Sequence, residues 1–215
     1  MLGYGASRRL LVFSVGHTSS GIDEAWQAGP ARQGVWWLDE LSPAGIDAVA
    51  RRVHAARRPG DIVLASLHWG GNWGYGITRR TRDFARDLLD HAGVDLVHGH
   101  SSHHPRGIEV YRDKLILYGC GDLIDDYEGI SRYEAYRADL ALLYLVRLER
   151  ATGALRSLEM VPMHREKFRL GHAGEADTTA HPGPLPTGHG YSCAFTVVDR
   201  DDCYEYRRPW HRLLC

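Results

Sequence analysis

The sequence predicts an α/β fold in which parallel core strands are extended by antiparallel hairpins. Apolar runs typical of buried strands alternate with two segments of helical periodicity in the first half of the chain. Paired apolar runs joined by tight turns follow in the second half. With 215 residues, 44% of them hydrophobic and 25% charged, the chain can bury one sizeable core. Its net charge of −1 argues against a dedicated nucleic-acid-binding protein.

The first half predicts the order β-α-β-α-β. Leu10 to Val15 is typical of a buried strand, and Ser42-Pro43 predicts the start of a helix that ends near Arg58. The run from Asp61 to Leu67 is almost wholly apolar, as in a strand buried on both faces. The following elements are a glycine-rich aromatic loop over 68–77, a helix from Thr78 to about His91, a strand over 94–97 and a loop over 99–107.

The second half predicts two hairpins and a tail. The first hairpin pairs 108–111 with 115–118, and the second pairs 140–148 with 155–161 around Thr152-Gly153. We expect one domain over 1–170 and a weakly structured or divergent tail over 171–215, with one candidate strand at 191–198. No run of 18 apolar residues occurs, so no transmembrane segment is expected. The apolar stretch near the N-terminus is too short for a convincing signal peptide, which predicts a cytoplasmic location for the chain as it stands.

Histidines are concentrated where the predicted strands end. Of 13 histidines, five lie between positions 91 and 104. His68 directly follows the strand over 61–67, and His100 and His103 come just after the strand over 94–97. Loops at the carboxyl ends of parallel strands share one edge of a sheet, and neutral imidazole is a common metal ligand. These three residues therefore predict a metal site, whereas His98 and His104 are weaker candidates.

A hydrolytic metal site also needs carboxylates, and an acidic loop follows the strand over 115–118. We assign the catalytic role to Asp122, which would add a metal ligand or orient one of the histidines, and a solvated acidic loop is the alternative. The other acidic candidates in this loop are Asp125, Asp126 and Glu128. Ser101 and Ser102 are interpreted as hydrogen-bonding loop residues, and Trp69, Trp73 and Tyr75 either line a pocket or cover the end of the sheet.

Two long segments of the chain resemble a known family. SLHWGGNWGYGI and DFARDLLDHAGVDLVHGHSSHHPRGIEVYRDKLILYGCGDLIDDYEGI resemble the CapA family of capsule or poly-γ-glutamate biosynthesis proteins, which are similar to calcineurin-like metallophosphatases. The resemblance covers roughly 10–168 and is strongest over 61–130. It implies a metallophosphatase-like αββα sandwich. It also implies that His68, in the HWG motif, and His100 and His103, in GH-x-x-H, are metal ligands.

The chain departs from the family pattern in its acidic and amide motifs. The family's N-terminal half carries NLE and NNH-x-x-D motifs, and neither occurs here. We therefore expect the chain to be the C-terminal part of the family domain, a partial sandwich. Asn72 stands where many members have an acid, and Asp122 stands at the asparagine of the family's GN pair.

The resemblance implies a phosphoesterase-like hydrolase by ancestry that uses a divalent Mn, Fe or Zn ion. Its substrate would be a phosphorylated small molecule or an anionic polymer, and we expect weak or no catalysis from this chain as it stands. The alternative is a non-catalytic component that binds or helps to export an anionic polymer, for which arginines such as Arg79, Arg80, Arg82 and Arg106 are suited. A third reading is a fragment without an independent role. Family members often work outside the cytoplasm.

Overall fold

The computed structural model describes residues 9–124 and 132–174, together with the backbone of 213–214. One sheet contains β1 (Leu10–His17), β2 (Trp37–Leu38), β3 (Ile62–His68), β4 (Leu96–His100), β5 (Ile108–Tyr111) and β6 (Lys114–Leu117). The second contains β7 (Leu140–Leu148), β8 (Leu155–Glu166), β9 (Arg169–His172) and β10 (Leu213–Leu214). The helices are α1 (Pro43–Ala56) and α2 (Arg79–His91).

The first sheet is mostly parallel, and the second is antiparallel. The strand order of the first sheet is β2-β1-β3-β4-β6-β5, and only β5 runs antiparallel to its neighbour. In the second sheet, β8 pairs with β7, β9 and β10. The predicted α/β class, with parallel core strands and antiparallel hairpins, is confirmed.

Both predicted helices are confirmed, with the predicted caps. The Ser42 hydroxyl accepts a hydrogen bond from the Gly45 backbone N–H at 3.4 Å, and the Thr78 hydroxyl accepts one from Thr81 at 3.1 Å. The apolar faces of α1 and α2 pack on one face of the first sheet. The buried contacts include Val49 and Leu88 from the helices and Ala65 from β3.

The opposite face of the first sheet packs on the second sheet, but over only part of its width. One row of register partners crosses this face through Val12, Leu64, Leu96 and Leu115. Their exposure falls from 54% at Val12 to 6% at Leu96 and 0% at Leu115. The second sheet therefore covers the β4–β6 side of this face and leaves the β1 side open to solvent.

The described residues form a helix layer and two sheets, which are three of the four layers of an αββα sandwich. A helix on the outer side of the second sheet is not found within 9–124 and 132–174. In that part of the chain, neither helix has the length and hydropathy needed to cross a bilayer.

Several element boundaries differ from the expectations. β4 continues to His100, so the predicted loop begins two residues later than expected. The short strand β2 was not predicted. β9 includes Gly171 and His172 from the predicted tail, whereas the candidate strand at 191–198 lies outside the described residues. The domain boundary at 170 stays a prediction.

Candidate functional site

The loops that follow β1, β3 and β4 are linked to one another at the carboxyl edge of the first sheet. Ser20, after β1, donates a hydrogen bond to the backbone carbonyl of His68 at 3.0 Å. Gly70, after β3, donates its N–H to the hydroxyl of Ser19 and accepts a bond from Ser101, which follows β4. The end of the sheet is therefore a connected surface, as the parallel topology predicts.

His68 and His100 occupy facing positions at this edge. They are register partners on β3 and β4, and their ring centroids lie 5.0 Å apart. The Nδ1 atom of His100 is buried and has no hydrogen-bond partner among the described residues. Because buried polar atoms are normally satisfied, an imidazole nitrogen without a partner is typical of a place where a ligand binds.

Both imidazoles are held in the neutral form. Burial, with smaller contributions from the nearby His98 and His68, lowers the pKa of His100 to about 4. Burial also lowers the pKa of His68, with a smaller contribution from His103. A neutral imidazole has a lone pair available for a metal ion, so these two residues have the chemistry of metal ligands at neutral pH.

A third imidazole, His98, lies next to His100 and was only a weak candidate. Its ring lies at a centroid distance of 5.4 Å from that of His100, and the two ring planes are inclined by 28°. Its Nδ1 atom lies 3.1 Å from the hydroxyl of Ser66, and burial lowers its pKa. Since β4 includes both histidines, their spacing of two places them on the same face of the sheet. That spacing is the signal that could have identified His98 from sequence.

His103 forms a separate contact with Asp122. The Nδ1 atom of His103 lies 2.7 Å from a carboxylate oxygen of Asp122, and the two side chains are 17% and 22% exposed. The indole ring of Trp73 lies beside the imidazole at a centroid distance of 5.1 Å. The catalytic role expected of Asp122 stays a prediction, but its contact with a predicted ligand is clear.

An aromatic cluster forms the side of the site next to His103. Trp73 stacks on Tyr133 at 4.2 Å, and Tyr136 lies near both Trp73 and Tyr75. His104 is 1% exposed, and its ring packs 4.6 Å from that of Tyr136. His104 is therefore a packed residue of this cluster.

The remaining candidates have structural contacts. Trp69 is buried against the helices and donates its indole N–H to the Tyr118 carbonyl at 3.0 Å. Arg106 donates to backbone carbonyls of the loop after β3, whereas Arg79 is largely exposed. Ser102 donates to the His104 carbonyl, which agrees with its interpretation as a loop residue. Asp125, Asp126 and Glu128 lie outside the described residues.

The donor atoms fit a divalent metal ion in chemistry but fall short in number. His68 and His100 offer two neutral imidazoles, which suit Fe or Zn, whereas Mn prefers oxygen ligands. Across 9–124 and 132–174, no group of three or more His, Cys, Asp or Glu side chains is arranged to hold a metal ion. The structure thus brings His68 and His100 together, and the third predicted ligand, His103, is held by Asp122.

Comparison with known proteins identifies one matching family and relatives that are described in similar terms. Residues 4–127, more than half of the chain, match a family described as bacterial capsule synthesis protein PGA_cap. A probable polyglutamine synthesis accessory protein of Mycobacterium tuberculosis is 50% identical over 175 residues, which are 81% of this chain and 46% of that protein. The PGA biosynthesis protein CapA of Bacillus subtilis is 33% identical over 90 residues, which are 42% of this chain and 23% of that protein. The chain thus spans about half the length of the first of these relatives and about a quarter of the length of the second.

Proposed function

Since the chain belongs to the PGA_cap family of bacterial capsule synthesis proteins, we propose that it serves polyglutamate synthesis by binding a divalent metal ion at its histidine edge. His68 and His100 would hold the ion, and a role for His103 as the third ligand stays a prediction, because its imidazole contacts Asp122. The bound ion supplies positive charge to which a carboxylate or phosphate group of an anionic substrate binds.

One observation supports this proposal above the others. The rings of His68 and His100 face each other at 5.0 Å, and the buried Nδ1 of His100 has no hydrogen-bond partner among the described residues. Such an arrangement costs free energy in the absence of a ligand, because an unsatisfied buried nitrogen loses its hydration. A metal ion that accepts the imidazole lone pairs would offset this cost.

Two candidate activities follow from a metal at this edge. The first is hydrolysis of a phosphoester or a similar bond. The second is non-catalytic binding of an anionic polymer such as poly-γ-glutamate. Both stay predictions, because the acidic candidates Asp125, Asp126 and Glu128 lie outside the described residues.

The experiment is a titration of the metal-free protein with Mn²⁺ and Zn²⁺ by calorimetry, using the wild type and the variants His68→Ala and His100→Ala. We expect saturable binding by the wild type and a loss of at least tenfold in affinity for each variant. His91→Ala is the matched control, since His91 is an exposed histidine on α2 and should leave the affinity unchanged.

A second measurement separates the two activities. The metal-loaded protein is assayed for turnover of bis-p-nitrophenyl phosphate and for binding of poly-γ-glutamate. Binding of the polymer without turnover would support the accessory role, whereas turnover that is lost in His100→Ala would support hydrolysis. A wild-type protein that binds neither ion would refute the metal proposal itself.

A further inference from the structure

Arg106 lies in the loop between β4 and β5, and its side chain crosses to the loop after β3. One terminal nitrogen of the guanidinium, Nη2, donates hydrogen bonds to the carbonyls of Gly71 at 2.7 Å and Trp73 at 3.3 Å. The backbone N–H of Arg106 donates to the Gly119 carbonyl at 2.8 Å. The guanidinium therefore lies at the carboxyl edge of the first sheet, against the loop that follows His68.

Two glycines make room for this side chain. A Cβ atom at Gly70, where φ is 77°, would lie 2.9 Å from Nη1 of Arg106. A Cβ atom at Gly119 would lie 3.0 Å from the Cδ atom of Arg106. Both distances are shorter than ordinary van der Waals contact, so glycine at both positions lets the arginine follow this path. The position of the guanidinium is thus built into two separate loops.

The charge of Arg106 has no acidic partner among the described residues, and this distinguishes it from comparable cations. Every other arginine or lysine that is half-buried in that part of the chain lies within 4.0 Å of a carboxylate oxygen, as Arg57, Lys114 and Arg165 do. Burial lowers the pKa of Arg106, although a guanidinium stays protonated at neutral pH. A half-buried cation without a counter-charge costs free energy, and an anion beside it would offset that cost.

The guanidinium of Arg106 also has hydrogen-bond donors to spare. Nη2 is engaged by two carbonyls, whereas Nε is buried without a hydrogen-bond partner and Nη1 donates to none of the described residues. Gly71, which accepts one of the Nη2 bonds, is exposed, so the guanidinium lies close to the surface. Arginine binds carboxylates and phosphates through N–H groups that are free in this way.

We propose that Arg106 binds the anionic group of the substrate, a carboxylate or a phosphate, at the edge of the sheet that carries His68 and His100. The inference rests on the proposed function and deepens it, because it names the side chain that recognises the anion. The anion accepts hydrogen bonds from Nη1 while Nη2 continues to hold the loop after β3. Since those carbonyl bonds already fix the orientation of the guanidinium, little side-chain entropy is lost when the anion binds.

The first test observes Arg106 directly in the wild-type protein. In protein labelled with ¹⁵N-arginine, the Nε–Hε signal of Arg106, assigned with an Arg106→Lys sample, is followed by NMR. The titrants are short-chain poly-γ-glutamate and sodium phosphate, each at constant ionic strength, with metal-free and with Zn²⁺-loaded protein. We expect a saturable shift of this signal, and the anion that binds more tightly identifies the group as a carboxylate or a phosphate. A signal that neither anion moves, with or without Zn²⁺, would overturn the inference.

The second test is the affinity for the anion that shifts the Arg106 signal, measured by calorimetry. Arg106→Gln should bind it about tenfold or more weakly than the wild type, and Arg106→Lys should fall between them because it keeps the charge without the paired N–H groups. Arg58→Gln is the matched control, since it removes the same charge from an exposed arginine before β3, at the opposite end of the first sheet. Equal affinities in the wild type and Arg106→Gln would overturn the inference.

Failure of this inference and failure of the proposed function are distinguishable. A wild type that binds no Zn²⁺ would refute the proposed function, and the anion titrations of the metal-free protein would still decide the role of Arg106. Normal Zn²⁺ binding with unchanged anion affinity in Arg106→Gln would overturn the inference and leave the proposed function intact. Should Arg106→Gln fail to fold, which a thermal melt would show, the wild-type NMR titration and Arg106→Lys decide in its place.

Discussion

The Asp95 carboxylate, just before β4, is a sensitive point for stability because three donors share it. Its oxygens accept hydrogen bonds from Lys114 at 2.7 Å, from Arg57 at 3.0 Å and from the Val63 backbone N–H at 3.0 Å. Its own side chain is 2% exposed, whereas those of Lys114 and Arg57 are 23% and 33% exposed. In Asp95→Ala, the two cations can recover part of their hydration, but the Val63 N–H loses its partner.

The expected loss of stability in Asp95→Ala follows from these exposures. Breaking one side of a buried ion pair costs about 3–5 kcal/mol, and the partial exposure of the cations places Asp95→Ala near the lower end, at about 3 kcal/mol. This would be a large fraction of the roughly 5–15 kcal/mol that stabilises a typical domain. Asp95→Asn keeps one acceptor oxygen and should fall between the alanine variant and the wild type.

Urea unfolding followed by circular dichroism measures the change. Asp87→Ala is the control, since Asp87 is 47% exposed and lies 4.0 Å from His91 on the surface of α2. Its free energy of unfolding should stay within about 0.5 kcal/mol of the wild type. A loss below about 1 kcal/mol for Asp95→Ala would refute the reasoning, because it would mean that the three donors find other partners.

Three further predictions concern pH and packing. A hydrogen bond from Arg9 is the main reason why the pKa of Asp61 falls from 3.8 to about 2. The wild type should therefore be more stable than Asp61→Asn by the full amount above pH 3.8, and this advantage should disappear as the pH falls through about 2. Urea titrations of both proteins across this pH range measure the difference. The buried His100 has a pKa lowered from 6.5 to about 4, so as the pH falls its imidazole is protonated in the unfolded chain before it is protonated in the folded chain. Stability should therefore fall as the pH drops from 6.5 to about 4, and His100→Gln should flatten that slope in thermal melts. A Cβ atom at Gly99 would lie 2.5 Å from the indole nitrogen of Trp69, and Gly99→Ala should lose about 1–3 kcal/mol, with a changed near-UV tryptophan spectrum.

Much of the fold follows from local patterns in the sequence. The apolar run before His68 and the capping residues of both helices identified β3, α1 and α2, because each pattern has a direct local cause. The extent of β4 could not be predicted in the same way. Gly99 breaks the apolar pattern, yet it lies inside the strand, and a glycine is needed there because the Trp69 side chain and the Tyr118 backbone leave no room for a Cβ atom. That reason is a tertiary contact, which the local sequence does not contain.

The candidate site was predictable to a similar degree. Placement after parallel strands was enough to pair His68 with His100, since register alone brings them together. The contact of His103 with Asp122 depends on how two irregular loops pack, and no periodicity encodes it. The same limit applied to His104, whose burial among aromatic rings comes from the distant Tyr136.

Two ion pairs lie at the end of the first sheet that is opposite His68 and His100. Asp61 and Asp95 precede β3 and β4 and pair with cations, whereas His68 and His100 end the same two strands as uncharged rings. These two ion pairs are therefore remote from His68 and His100. For protein engineering, this means that His68 and His100 can be replaced without touching the ion pairs of Asp61 and Asp95.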